Sequence, residues 1–262
     1  MSITQVKQMS AAPAVAFVAD RNELFVGGGL LGSAYIAFLF AAAFHPHELD
    51  PNNHPLSFAQ YAHATGWTAD HLTFFVYWAM TIAGVLILLD VLRLTATAHR
   101  MIARIGVISA GAALALSALR FVVDGVVLKR AVDAWASAPA TEQAARFASA
   151  ETVRWMEEAA ISYQGFVFGL ALIALATLIV WTARIARPIG FVVGLSGLAY
   201  LVVGWIVGEA GLAPQGALPT YIAQITLPIA GVYLLVVAWR MPRPAVGRGG
   251  NGYAAELAAQ EG

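Results

Sequence analysis

Six separate stretches of this chain are each apolar for about the length that crosses a lipid hydrocarbon core, and no other feature constrains the fold as strongly. They cover residues 24–44, then about 71–92, 102–128, 159–183, 188–207 and 218–239. A core of roughly 30 Å needs about 20 residues of helix. In lipid the backbone must satisfy its own hydrogen bonds, so only helices or closed barrels cross, and these runs lack the alternation of strands. Composition agrees: 60% of the residues are apolar and 11% are charged, against about 25% charged in a soluble domain. The expected fold is an all-α integral membrane protein, a bundle of six transmembrane helices occupying residues 24–240. An interfacial N-terminal segment (1–23) precedes it and a flexible, Gly- and Pro-rich C-terminal tail (241–262) follows. Within the first segment, residues 11–19 read as a short surface-lying stretch.

The zero net charge gives no basic surface for nucleic acid. The absence of cysteine excludes disulfides, thiolate metal sites, iron–sulfur clusters and cysteine nucleophiles. No phosphate-cradling glycine loop, dinucleotide fingerprint or nucleophile elbow is present; the glycines at 27–29 lie inside a span. The expected surroundings are the bilayer, with a second copy or another membrane protein as candidate partners.

Basic residues set the orientation. Lys7 and Arg21 precede span 1, Arg93, Arg100 and Arg104 separate spans 2 and 3, and Arg184 and Arg187 separate spans 4 and 5; Arg240, Arg243 and Arg248 follow span 6. The loops between spans 1 and 2 and between spans 5 and 6 carry neither Lys nor Arg. The pattern predicts a multi-pass protein of the plasma (inner) membrane with both termini cytoplasmic. One loop dissents: Lys129, Arg130, Arg146 and Arg154 fall outside, offset by Asp133, Glu142, Glu151, Glu157 and Glu158. Within that loop 141–156 (TEQAARFASAETVRWM) reads as a short amphipathic helix lying flat on the membrane between spans 3 and 4, N-capped by Thr141.

Small residues mark expected close helix crossings: Gly28 and Gly32 in span 1, and Gly190, Gly194, Gly204 and Gly208 in span 5. Ionisable residues within spans are costly and usually paired or functional. Arg120 and Asp124, four apart in ALSALRFVVDG, share a helix face and are placed to bond each other. Asp90 lies near the opposite end of span 2, within reach of Arg93 or Arg100. The proposed topology gathers the deep polar residues in the outer half, and Arg120, Asp124, Glu158, Tyr163, Gln164, Glu209 and Tyr221 are candidates to line a pocket opening outward.

Five of the six histidines fall between residues 45 and 71, in HPHELDPNNHPLSFAQYAHATGWTADH. Imidazole with carboxylate suits a transition metal, and His45, His47, His54, His71 and Asp70, with Glu48 in reserve, are the candidate ligands. The spacing is not that of a helical metal motif, and Pro46, Pro51 and Pro55 make the segment irregular. A proton-handling role and a solvated loop capping the helices remain open beside the metal site. The functional expectations are therefore a membrane protein binding a small molecule, lipid or partner in an outer pocket, a membrane metalloprotein, or a proton-coupled or small-solute transporter lined by Arg120, Asp124 and Glu209.

Residues 161–240 resemble a family of six-span bacterial membrane proteins classed as a domain of unknown function. The resemblance rests on a Gly-containing span 4, a short basic turn with Pro188, and a following helix of the form GxxxxxxGxxYLV, matched by Gly190, Gly197, Tyr200, Leu201 and Val202. It implies a six-span fold and a membrane location, and no reaction. The histidine-rich loop departs from it.

Overall fold

The computed structural model of the chain describes residues 20–46, 50–92, 94 and 96–242. Among them are eight α-helices and no strand. α1 spans Arg21–Phe44, α2 His54–His63, α3 Trp67–Val91 and α4 Thr97–Val122. A π-helical segment at Val123–Leu128 joins α4 to α5 (Lys129–Ala136). α6 runs Gln143–Thr182, α7 Arg187–Ala210 and α8 Ala217–Arg240. Six of these units are long and apolar enough to cross a membrane, as the sequence predicts. The segment at 11–19, Lys7, His47, Glu48, Arg93, Arg243, Arg248 and the tail from 243 lie outside the described residues.

The start signals are local and legible. The Asp20 carboxylate accepts from the backbone N–H groups of Asn22 (2.8 Å) and Glu23 (3.4 Å), capping α1. Pro188 occupies the first turn of α7, where its missing N–H costs nothing.

The six spanning helices form a closed ring in chain order. α1 packs on α3, α3 on α4, α4 on α6, α6 on α7, α7 on α8, and α8 returns to α1. Leu31, Ile82, Leu88, Leu172, Leu175, Leu178 and Leu234, all nearly or fully buried, fill the end of the ring nearer the termini. Because lipid tails are as apolar as leucine, close backbone approach and interhelical hydrogen bonds do much of the joining. A Cβ on Gly28 would stand 2.9 Å from the Gly231 carbonyl oxygen, and one on Gly204 2.7 Å from that of Ser162. Ser162 Oγ donates to the Gly204 carbonyl (2.8 Å) and Ser196 Oγ to that of Ala223 (3.1 Å), tying α6 to α7 and α7 to α8. The expected glycine seams are thus present at Gly28, Gly190, Gly204 and Gly208, while Gly32 and Gly194 make only ordinary contacts.

Two of the six units are much longer than a bilayer. Thr97–Ala136 and Gln143–Thr182 each contain 40 residues, about 60 Å of helix at 1.5 Å per residue. Exposed aromatics bracket the lipid-facing part. On α6, Tyr163 and Trp181 are 66% and 60% exposed, and their spacing is about 27 Å of helix. Tyr221 and Trp239 repeat that spacing on α8. On the N-terminal side of Tyr163 the α6 helix packs with α5 and α2 into a headpiece with its own core: Phe58, Tyr61, Trp67, Leu128, Val132 and Ala150.

The headpiece corrects three expectations. The amphipathic stretch 141–156 is not a separate helix lying flat. It is the opening of α6, continuous with span 4; Phe147, Ala150 and Val153 pack toward α5 and α2, while Trp155 and Met156 are exposed. Thr141 makes no cap, since the helix begins at Gln143 after Glu142 and no side chain caps it. The histidine-rich segment contains a helix, α2, which the Asn53 side chain caps by accepting from the Leu56 N–H (3.3 Å), with Pro55 in its first turn.

Candidate functional site

Where the ring meets the headpiece, the helices part around a cavity of about 620 Å³. This lies within the range of about 300–1,000 Å³ that holds drug-sized ligands. Phe38, Phe74, Trp78 and Val203 supply apolar wall, and the polar groups come from His71, Arg120, Asp124, Arg154, Glu157 and Gln164.

The π-helical segment organises one side. The segment, Val123–Leu128, continues α4 and carries Asp124 near its start. The Asp124 carboxylate meets His71 on α3, with Nε2 and Oδ2 2.9 Å apart, and not Arg120 four residues earlier. This corrects the expected Arg120–Asp124 bond. His71 Nδ1 donates to the Trp67 carbonyl (2.8 Å), an atom that can only accept. The contact between Nε2 and Oδ2 then holds one further proton between imidazole and carboxylate. Two more bonds pin the segment to α3. Trp67 Nε1 donates to the Asp124 carbonyl (2.9 Å) and Thr68 Oγ1 to that of Gly125 (3.0 Å). Gly125 permits this approach: a Cβ there would stand 2.7 Å from the His71 Cβ.

α6 supplies the opposite side. Arg154 is 3% exposed and donates from Nη1 to Glu157 Oε2 at 2.7 Å, with Glu158 Oε1 3.7 Å from its Nε. Its guanidinium also lies 5.8 Å from the Tyr61 ring centre. About two turns deeper, Gln164 donates from Nε2 to Ser117 Oγ (2.9 Å), and Ser117 in turn donates to the Ala113 carbonyl (2.7 Å). Because Ser117 spends its only proton on Ala113, it must accept from Gln164, which fixes the amide orientation. Gln164 Oε1 is buried and has no hydrogen-bond partner within the protein. α8 completes the wall with Tyr221 and Gln224. Pro228 lacks the N–H that would bond the Gln224 carbonyl, a break tolerated in a span beside a cavity.

Arg120 stands apart from these pairs. Its guanidinium lies over the Phe121 ring, 4.8 Å from the centroid, and its Nε is buried without a hydrogen-bond partner. Among the described residues no carboxylate lies within ion-pair distance of it.

Of the expected pocket residues, Arg120, Asp124, Gln164 and Tyr221 line the cavity. Glu158 is buried but turned toward Arg154, outside the wall. Tyr163 faces away, and Glu209 is exposed at the end of α7. The sequence reading misses Arg154, Glu157, Tyr77 and Tyr200 as wall residues. Their signal was present for Arg154 and Glu157, a base and an acid three apart on one helix face just ahead of a span.

The metal candidates divide. His45 and His71 lie near each other, with ring centres 5.3 Å apart and ring planes tilted by 51°. Asp70 is the neighbour of His71 in the first turn of α3. His54 belongs to the headpiece, its Nδ1 2.9 Å from Glu151 Oε1. Among the described residues no three His, Asp or Glu side chains are grouped to hold a metal ion. Asp90 is exposed at the far end of α3, and Arg100 donates to Thr97 Oγ1 (3.3 Å).

No family model matches the chain, and no curated protein and no solved structure matches it.

Proposed function

We propose that this chain is a membrane-embedded binding protein that holds a small amphipathic molecule between the ring and the headpiece. The observation that carries the reading is the pairing of mostly apolar, aromatic walls with buried polar atoms, Gln164 Oε1 and Arg120 Nε, that the protein itself leaves unbonded. Leaving a buried polar group unmade costs about 1–3 kcal/mol, and a structure that merely needed to be stable would fill such a site with apolar side chains. The expected resemblance to six-span proteins of unknown function is compatible with this role.

The same reading places the protein in a plasma (inner) membrane with the headpiece outside and both termini cytoplasmic. Support comes from Arg100, Arg104, Arg184, Arg187 and Arg240 at the headpiece-distal end. The cavity then opens on the extracytoplasmic side.

The test is to purify the chain in a mild detergent, denature it, and identify released small molecules by mass spectrometry beside a Val203→Trp variant whose indole fills the cavity. A species retained by the unmodified protein and lost from a folded Val203→Trp supports the reading. Identical small-molecule content in the two proteins refutes it.

A further inference from the structure

Resting on that binding role, we propose that the molecule carries an anionic head, a carboxylate or phosphate monoester, seated on Arg120, with its apolar part against Phe38, Phe74, Trp78 and Val203. The argument is an inventory of charge around the cavity. Its two lining carboxylates are already engaged: Asp124 faces His71 on α3, and Glu157 faces Arg154 on its own helix. Of its two lining arginines, Arg154 has Glu157 and Glu158 within 4 Å, whereas among the described residues Arg120 has no carboxylate that close and acts on Asp124 and Glu157 only from farther off. His45 also lines the wall, its Nδ1 within 3.0 Å of the Pro46 carbonyl. Asp70, beside His71 in sequence, is not part of the wall. Among these lining groups the guanidinium of Arg120 is the one with no counter-ion within ion-pair distance.

Asp124, four residues along the same helix, spends its close contact on His71 at 2.9 Å, and the guanidinium of Arg120 lines the cavity. A guanidinium half-withdrawn from water, with a buried, unbonded Nε, is costly to hold. A planar carboxylate or phosphate returns that energy through paired N–H···O bonds, which a guanidinium fork is shaped to make. Gln164 Oε1 adds a second requirement. Its amide orientation makes it an acceptor only, so the bound molecule brings an N–H or O–H to it, for which a singly protonated phosphate or a hydroxyl on the chain suffices.

Three photoreactive probes sharing one diazirine-bearing chain test this: the carboxylic acid, the alkyl phosphate and the neutral alcohol. Each is added to the full-length protein in lipid nanodiscs and the labelled peptides are mapped by mass spectrometry. The expected result is labelling of the peptides holding Trp78 and Val203 by one or both anionic probes, at least tenfold above the alcohol. Arg120→Gln should bring anionic labelling down to the alcohol level, and Arg120→Lys should restore part of it. The acid–alcohol comparison on unmodified protein needs no variant, so a folding defect in Arg120→Gln does not blunt the test. Equal labelling by all three probes, unchanged in Arg120→Gln, overturns the anionic head and leaves the binding role standing. No cavity labelling by any probe overturns both. Labelling by only one of the anions supports the proposal and names the source of the charge.

Discussion

The seam between α3 and the π-helical segment makes a quantitative claim through Gly125. An added Cβ would lie 2.7 Å from the His71 Cβ and 3.3 Å from its Cγ, and both neighbours are rooted near the backbone. The two elements must therefore separate. Forcing a methyl into a filled site costs typically about 1–3 kcal/mol. The Trp67 and Thr68 bonds across the seam stretch as it opens, together giving up about 1–2 kcal/mol of their roughly 0.5–1.5 kcal/mol apiece. Alanine returns about 1 kcal/mol through its better helix propensity, so Gly125→Ala should destabilise by about 1–4 kcal/mol. Gly111, in α4, is the matched control, because nothing lies within 4 Å of a Cβ there. Gly111→Ala should gain about 1 kcal/mol. Unfolding in mixed micelles followed by tryptophan fluorescence should separate the two variants by about 2–5 kcal/mol, the sum of those opposite shifts. If Gly125→Ala unfolds at or above the midpoint of Gly111→Ala, the seam is not in contact and the described path of Asp124 to His71 is wrong.

Other perturbations probe different joints. Arg154→Ala strands the 1%-exposed Glu157 and should cost about 3–5 kcal/mol, whereas Arg154→Met with Glu157→Leu should cost less than the single change; a chemical-unfolding series that ranks them the other way denies the buried pair. Gly231→Val drives a branched side chain against the Gly32 N–H and Gly28 carbonyl, 2.8 and 2.9 Å from the Cβ position, and cross-linking between cysteines placed on α1 and α8 should fall sharply. His54→Ala removes the bond to half-buried Glu151; hydrogen exchange should rise several-fold in α2 and stay unchanged in α7. Ala183 ends α6 with φ 51°, a conformation that costs a non-glycine residue about 1–2 kcal/mol. Ala183→Gly should raise the unfolding midpoint, and a lowered one would refute the assigned backbone.

The spans were legible because hydropathy over twenty residues is a bulk property, indifferent to neighbours, and Pro188 and the glycine seams follow from equally local rules. What lay beyond reach was contact across the chain. His71 and Asp124 meet between two helices, a contact that no residue spacing announces, and the reading that paired Arg120 with Asp124 looked for a partner within one helix. The headpiece was hidden for a related reason. A continuous 40-residue helix and a short flat helix before a span share the same amphipathic opening, and only the presence of Phe58, Tyr61 and Trp135 on α2 and α5 decides what its apolar side meets. Tyr200, quoted for its place in a sequence pattern, turns out to line the cavity, while Gly197 beside it packs on α6.

A ring whose members follow chain order has a consequence for how it is made. Each span emerging during synthesis finds its neighbour already inserted, with one exception: α1 must wait for α8, the last to arrive, before its second flank is covered. Until then the two glycine faces at Gly28 and Gly231 look out on lipid, and the bundle is an open arc through which a hydrophobic molecule can pass sideways. Closure of that arc is the last event of assembly, and it shuts the lateral side of a cleft that until then faced lipid.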